Sequence, residues 1–172
     1  NKITITGVLL FGQTFTRQKK RTSVSFPSVI DQVSFNPAEG WVVNTGFTWS
    51  KRFDSTLSGR RRISITSNFR YGFSNRHFNP YLTLRYSFGK KYASTILLSG
   101  GSRVFQFNNN SPIGEKGNSL SCLTSEENRI KSYEARYVRG SFRKGIGDGF
   151  SWIAGFQYQD RMPLDNTTDY TW

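Results

Sequence analysis

The alternation of side chains between Trp41 and Phe88 limits what this chain can fold into. Segment 41–53 places Trp41, Val43, Thr45, Phe47, Trp49, Lys51 and Phe53 at odd positions, with Val42, Asn44, Gly46, Thr48, Ser50 and Arg52 between them. Segment 60–73 repeats the pattern, setting Ile63, Ile65, Phe69, Tyr71 and Phe73 against Arg62, Ser64, Thr66, Asn68 and Arg70. Segment 81–88 sets Leu82, Leu84, Tyr86 and Phe88 against Thr83, Arg85 and Ser87. Successive side chains of a strand point to opposite faces, so each segment predicts one aromatic-rich apolar face and one polar, Arg-bearing face. The first two segments run to about a dozen residues, near twice the usual ~5–6 of a soluble strand. Long dyad strands with aromatic ends are the pattern of an outer-membrane β-barrel.

The remaining features are weighed against that expectation. At 172 residues the chain is one domain's worth. Its longest apolar run is Val8-Leu9-Leu10-Phe11 and its mean hydropathy is −0.54. A spanning helix needs about 20 apolar residues, so helical insertion is excluded, whereas a barrel needs only alternate ones. The N-terminus lacks the composition of a secretion signal and alternates from the start through Ile3, Ile5, Leu9, Phe11 and Phe15. The expectation is a chain that begins inside a folded region, either mature or cut from something larger.

The net charge of +13 points to a polyanion, an anionic surface or an anionic ligand in a lumen. The arginines alternate with apolar residues inside strands and do not form one basic run, so nucleic acid is not the expected partner. The exception, Arg17 to Arg21, reads as a solvated turn between strands that also suits lipopolysaccharide phosphates. Outer-membrane lipid is the expected partner, with other envelope proteins beside it.

Catalytic chemistry is hard to assemble from this sequence. There is one cysteine, Cys122, and one histidine, His77, in unrelated polar segments. They make neither a zinc site nor a thiol–imidazole pair, and neither metal nor cofactor is expected. Glu126 and Glu127 are adjacent in a loop, and the glycine clusters at 100–101 and 145–149 lack the helix a phosphate loop requires. A hydrolase would have to use His77 with an acid such as Asp148. The chain is therefore not read as an enzyme.

In order, the expected strands are Ile3–Thr16, Thr22–Phe35 with a bulge or edge at Pro27, Trp41–Phe53, Arg60–Phe73 and Tyr81–Phe88. Then come Tyr92–Phe107 with a bend at Gly100-Gly101, Arg129–Lys144, and Phe150–Arg161. Residues 108–128 break the rhythm and are expected to form a long polar extracellular loop. No helix of useful length is expected. The lipid-facing set is Trp41, Phe47, Trp49, Ile63, Ile65, Phe69, Tyr71, Phe73, Phe150, Trp152, Phe156 and Tyr158. The opposite basic row is Arg52, Arg62, Arg70, Arg85, Arg136 and Arg161. That row either fills the lumen of a narrow barrel with an Arg, acid and amide network or lines a passage for anions.

Several ordered motifs carry a resemblance to a known family: FNPAEGWVVNTGFTW (35–49), FRYGFSNRHFNPYLTLRYSF (69–88), GGSRVFQFNNNSPI (100–113), ENRIKSYEARY (127–137), GIGDGFSW (145–152) and DRMPLDNTTDY (160–170). Over nearly the whole chain, from Ser25 to Tyr170, it resembles the barrel domain of a Bacteroidota outer-membrane family. Members carry a carboxypeptidase-like regulatory domain, an Ig-like sandwich, ahead of a long domain of unknown function. The resemblance implies an all-β, antiparallel up-and-down transmembrane barrel of about eight strands here, part of a larger barrel in the bacterial outer membrane. It implies no peptidase site, and a structural, transport-related or envelope-complex role. The competing expectation is a soluble basic β-domain that binds nucleic acid or acidic polysaccharide through exposed Tyr, Phe and Arg.

Overall fold

A computed structural model describes residues 7, 10–53, 61–89, 92–107, 114–125, 128, 131–147 and 149–164. The architecture is an all-β, antiparallel, nine-stranded sheet. Its strands are β1 (Gln13–Arg17), β2 (Thr22–Phe26), β3 (Val33–Asn36), β4 (Gly40–Arg52), β5 (Arg62–Gly72), β6 (Phe78–Phe88), β7 (Ser94–Gln106), β8 (Ser132–Gly147) and β9 (Phe150–Pro163). They lie in the order β1-β2-β4-β5-β6-β7-β8-β9, with β3 also paired to β4. The path is linear, with β1 and β9 as its edges, and the strands do not close on themselves. From β4 onward they run 13, 11, 11, 13, 16 and 14 residues, the lengths the alternating segments predict.

The register turns the alternation of single strands into a property of the sheet. Phe15, Val24, Trp49, Ile65, Leu84, Leu98, Gly140 and Phe156 are successive cross-strand partners over eight strands. One residue along, Thr14, Ser25, Thr48, Thr66, Thr83, Ser99, Arg139 and Gln157 form the neighbouring row. Directly opposed residues of an antiparallel pair share a face, so one face carries an unbroken apolar row and the other an unbroken polar one. Hydroxyl pairs knit the polar row at Thr14–Ser25 (2.9 Å), Thr48–Thr66 (3.1 Å) and Thr83–Ser99 (2.9 Å). On the apolar side the Phe156 ring lies over Gly140, covering the gap that glycine leaves.

Among the described residues, the substantial packing between elements that are not sheet neighbours is confined to one helix on β3 and a 3-10 turn on β4. No second layer formed by the described residues covers the apolar face.

Some expectations are corrected. The anticipated strand 3–16 is seen only as β1; Leu10 and Phe11 are helical, and residues 1–6, 8 and 9 lie outside the described residues. The strand 22–35 is two strands, β2 and β3, which pair with separate parts of β4 on either side of the Ile30–Gln32 turn. Pro27, which has no N–H for a ladder, stands at the break. The segment 108–128, expected as a structureless loop, contains helix α1 (Glu115–Ser125). Gly101 adopts φ 138° at the anticipated bend, where a Cβ would collide with the β6 backbone at Pro80 and Tyr81.

Candidate functional site

The end of the sheet that carries α1 is also where polar side chains are most enclosed. Asn36 ends β3 and its Oδ1 accepts hydrogen bonds from the amides of Ala38 (3.1 Å) and Glu39 (2.8 Å), an Asx-type turn. That turn aims Glu39 across β5 at Arg70. The Arg70 Nε and Nη2 donate to the two Glu39 oxygens at 3.0 and 2.6 Å, and Asn36 Nδ2 donates to Oε2 at 2.9 Å. Both charged side chains are almost wholly buried, 7% and 1% exposed, so the bidentate pair meets the condition under which buried ions persist. Ser74 N donates to the Glu39 carbonyl (2.9 Å) and Phe73 N to that of Trp41 (3.0 Å), which locks the β3–β4 and β5–β6 turns together. Gly40, at φ 69°, permits the fit; a side chain there would meet Ser74.

Beside this latch, β6, β7 and β8 bring four polar groups into one cluster. His77 Nδ1 lies 2.7 Å from Glu134 Oε2, and Ser102 Oγ lies 2.5 Å from Asn79 Oδ1 and 3.2 Å from Glu134 Oε1, its single proton shared between these two acceptors. The serine hydroxyl is thus held by an amide and a carboxylate, not by the imidazole. A nucleophile relay needs the serine proton on the histidine, so the arrangement as it stands is a structural tie. Asp148 lies outside the described residues. Glu134 and Ser102 were not foreseen as partners of His77, because nothing local links positions this far apart.

On the polar face the aromatics serve the arginines. The Arg103 guanidinium lies 5.1 Å from the Tyr81 ring centroid and 5.3 Å from that of Phe105, and Arg161 lies 5.0 Å from that of Tyr133. These are cation–π distances. Tyr137, 7% exposed, bonds Ser99 Oγ at 2.9 Å, and Ala135 beneath them is 0% exposed. The register puts Arg52, Arg62, Arg70, Arg85 and Arg161 on this face, with Arg52 directly opposite Arg62. Arg136 does not belong to that row. It is opposite Asp160, on the face of Val138 and Tyr158. The odd residues Tyr133, Ala135 and Tyr137, apolar or aromatic by type, lie on the arginine side, so in β8 it is the even residues that face the apolar side. Continuing instead from Val138, Gly140 and Phe142 adds Arg139 and Arg143 to the basic face.

The predicted apolar set separates cleanly from these. Phe47, Trp49, Ile63, Ile65, Phe69, Tyr71, Trp152, Phe156 and Tyr158 share the other face by register, and Trp41 pairs with Phe35 at its border. Phe73 lies just beyond β5, and Phe150 stands at the register shift beside Gly147. Phe156 is 63% and Tyr158 70% exposed, and Trp49, Ile63 and Ile65 are half-buried through their strand neighbours alone. The burial expected of a soluble sheet is inverted here. The best-enclosed large side chains are on the polar face, and the large apolar ones stand free.

Helix α1 seals an edge. Ser119 Oγ accepts from Phe35 N (2.9 Å) and donates to Phe35 O (2.8 Å), occupying ladder groups that β3 leaves unpaired. Asn118, nearly fully buried, donates to Asn128 Oδ1 (3.1 Å) and sits 3.6 Å from Cys122 Sγ. Burial pushes the Cys122 thiol above its ordinary pKa. A neutral, enclosed thiol is a poor nucleophile, in keeping with a structural role. Lys116 pairs with Asp31 at the surface, a contact of small energetic weight.

No helix among the described residues is long and apolar enough to cross a membrane, which leaves crossing by strands untouched. The described residues hold no cluster of metal-ligating side chains. Comparison with curated proteins and with solved structures finds no match. A family model matches residues 6–172, almost the entire chain, and the chain belongs to the family it describes: the C-terminal domain of a family of unknown function, DUF5686.

Proposed function

We propose that this domain is a stretch of wall in an outer-membrane β-barrel, its apolar face toward lipid and its basic face toward the barrel interior. The observation that carries the reading is the pair of adjacent rows, one apolar and one polar, each crossing eight strands without a break. A contiguous apolar surface of this extent on a water-soluble monomer is an aggregation liability, and no layer among the described residues covers it. The strand lengths and the placement of Trp41, Tyr71, Tyr86 and Trp152 toward the strand ends agree with a bilayer-spanning wall. The open edges at β1 and β9 suit a wall completed by further strands.

Following the resemblance of its motifs, we assign the domain to a longer outer-membrane protein of Bacteroidota, with a carboxypeptidase-like regulatory domain ahead of the barrel. Its role is structural or transport-related, within or beside an envelope complex. The interior face favours anions, because its arginines outnumber the acids available to pair with them. Fractionation tests the reading. The protein should stay with outer membranes through high-salt and carbonate washes and leave them only with detergent. Release by salt alone would support the competing account, a soluble polyanion binder using the same arginines.

A further inference from the structure

At one margin of its band the apolar face carries two opposite charges side by side. Arg136 and Asp160 are direct cross-strand partners on β8 and β9. Toward the band they are followed by Val138 and Tyr158, both exposed, and away from it by Glu134. On β8 the band's other margin is Lys144, opposite Trp152. The separation along the strand is roughly 27 Å at about 3.4 Å per residue. Tilted by about 40°, that becomes roughly 20 Å of height, close to the ~25 Å apolar belt of such barrels. Arg136 and Asp160 therefore stand at headgroup level.

Their surroundings form a receptacle. With Pro80, Gly101, Ser102, Val138 and Tyr158 they line an open cavity of about 560 Å³. Beside it Gly100, the cross-strand partner of Leu82 and of Val138, places no side chain between the bulk of Leu82 on one side and Val138 and Tyr158 on the other. Neither the Arg136 nor the Asp160 side chain makes a hydrogen bond or ion pair with a described residue, although the two face each other across one ladder step. An arginine in this position lacks an anion and the aspartate lacks a cation, and the groove below them is apolar.

We propose that this groove binds one phospholipid bearing a phosphoethanolamine headgroup. The phosphate sits on the Arg136 guanidinium, the ammonium on the Asp160 carboxylate, and an acyl chain runs along Gly100 between Leu82, Val138 and Tyr158. A ligand whose charges are all negative leaves Asp160 unpaired, which is why the zwitterionic headgroup is favoured over phosphatidylglycerol, free phosphate or lipid A. The inference rests on the membrane-wall reading, whose own failure would appear separately, as a protein that needs no detergent.

The test is native mass spectrometry of the full-length protein in detergent, with phosphatidylethanolamine, phosphatidylglycerol or lipid A added in turn. The wild type should retain one phosphatidylethanolamine in preference to the other two. Arg136→Gln and Asp160→Asn should each weaken retention about tenfold, the loss expected of one charge-assisted hydrogen bond. Arg136→Lys and the opposite-margin variant Lys144→Gln should keep it, and cooperative thermal unfolding of each variant controls for folding. Equal retention of all three lipids, or unchanged retention in folded Arg136→Gln, would overturn the proposal.

Discussion

At the scale of single residues, the strongest commitment is the buried pair Glu39–Arg70. Removing one partner strands the other charge away from water, at a cost of about 3–5 kcal/mol. Arg70→Met and Glu39→Gln should each lower the free energy of unfolding in detergent by that order, and the double variant should cost clearly less than their sum. Additive losses would mean that the two side chains are not coupled. Cys122 supplies an independent probe. With its thiol enclosed and its pKa raised by burial, maleimide at neutral pH should modify it only as fast as the protein unfolds, so labelling should accelerate sharply in denaturant. Rapid labelling of the native protein would place α1 elsewhere.

At the scale of elements, one hydroxyl bridges α1 to both backbone groups of Phe35 on β3. Ser119→Ala leaves the Phe35 N–H and C=O without that partner and should cost about 1–3 kcal/mol. Hydrogen exchange should report it locally, with the Phe35 amide exchanging faster while the middle of β5 stays protected. The contrast between α1 and β4–β6 shows what was readable from sequence. In β4, β5 and β6 one face is mostly apolar, broken only by Thr45, Lys51 and Ser67, so period two is visible in each strand alone. In α1 the enclosed residues are Asn118 and Cys122 while Leu120 and Leu123 are exposed, so no apolar stripe at helical spacing announces the helix. In β8 the aromatics Tyr133 and Tyr137 lie on the arginine face because they stack with Phe105 and bond Ser99, which reversed the expected parity and misplaced Arg136. The His77–Glu134–Ser102 tie joins three strands through long-range register and had no local signal. Pro27 did mark the interruption between β2 and β3, since its missing donor acts on the strand it occupies.

At the scale of the whole molecule, the two faces should respond in opposite ways to the same substitution. An arginine on the lipid side near mid-height of a barrel wall costs about 2–4 kcal/mol, whereas a polar-side position accepts it at little cost. Leu98→Arg should therefore reduce the yield of folded, membrane-inserted protein severely, while Ser99→Arg, one residue along, should leave it near wild type. Equal tolerance at both positions would remove the asymmetry on which the wall depends. The sharpest measurement of that asymmetry is spin-label accessibility in reconstituted bilayers, with single cysteines placed by turns along the two rows in a Cys122→Ser background. Labels at Ile65, Leu84 and Leu98 should relax with oxygen dissolved in the bilayer, and labels at Thr66, Thr83 and Ser99 should not share that response. Relaxation of both rows by a water-soluble nickel chelate to the same degree, or shielding of the apolar row from oxygen and nickel alike, would contradict the account.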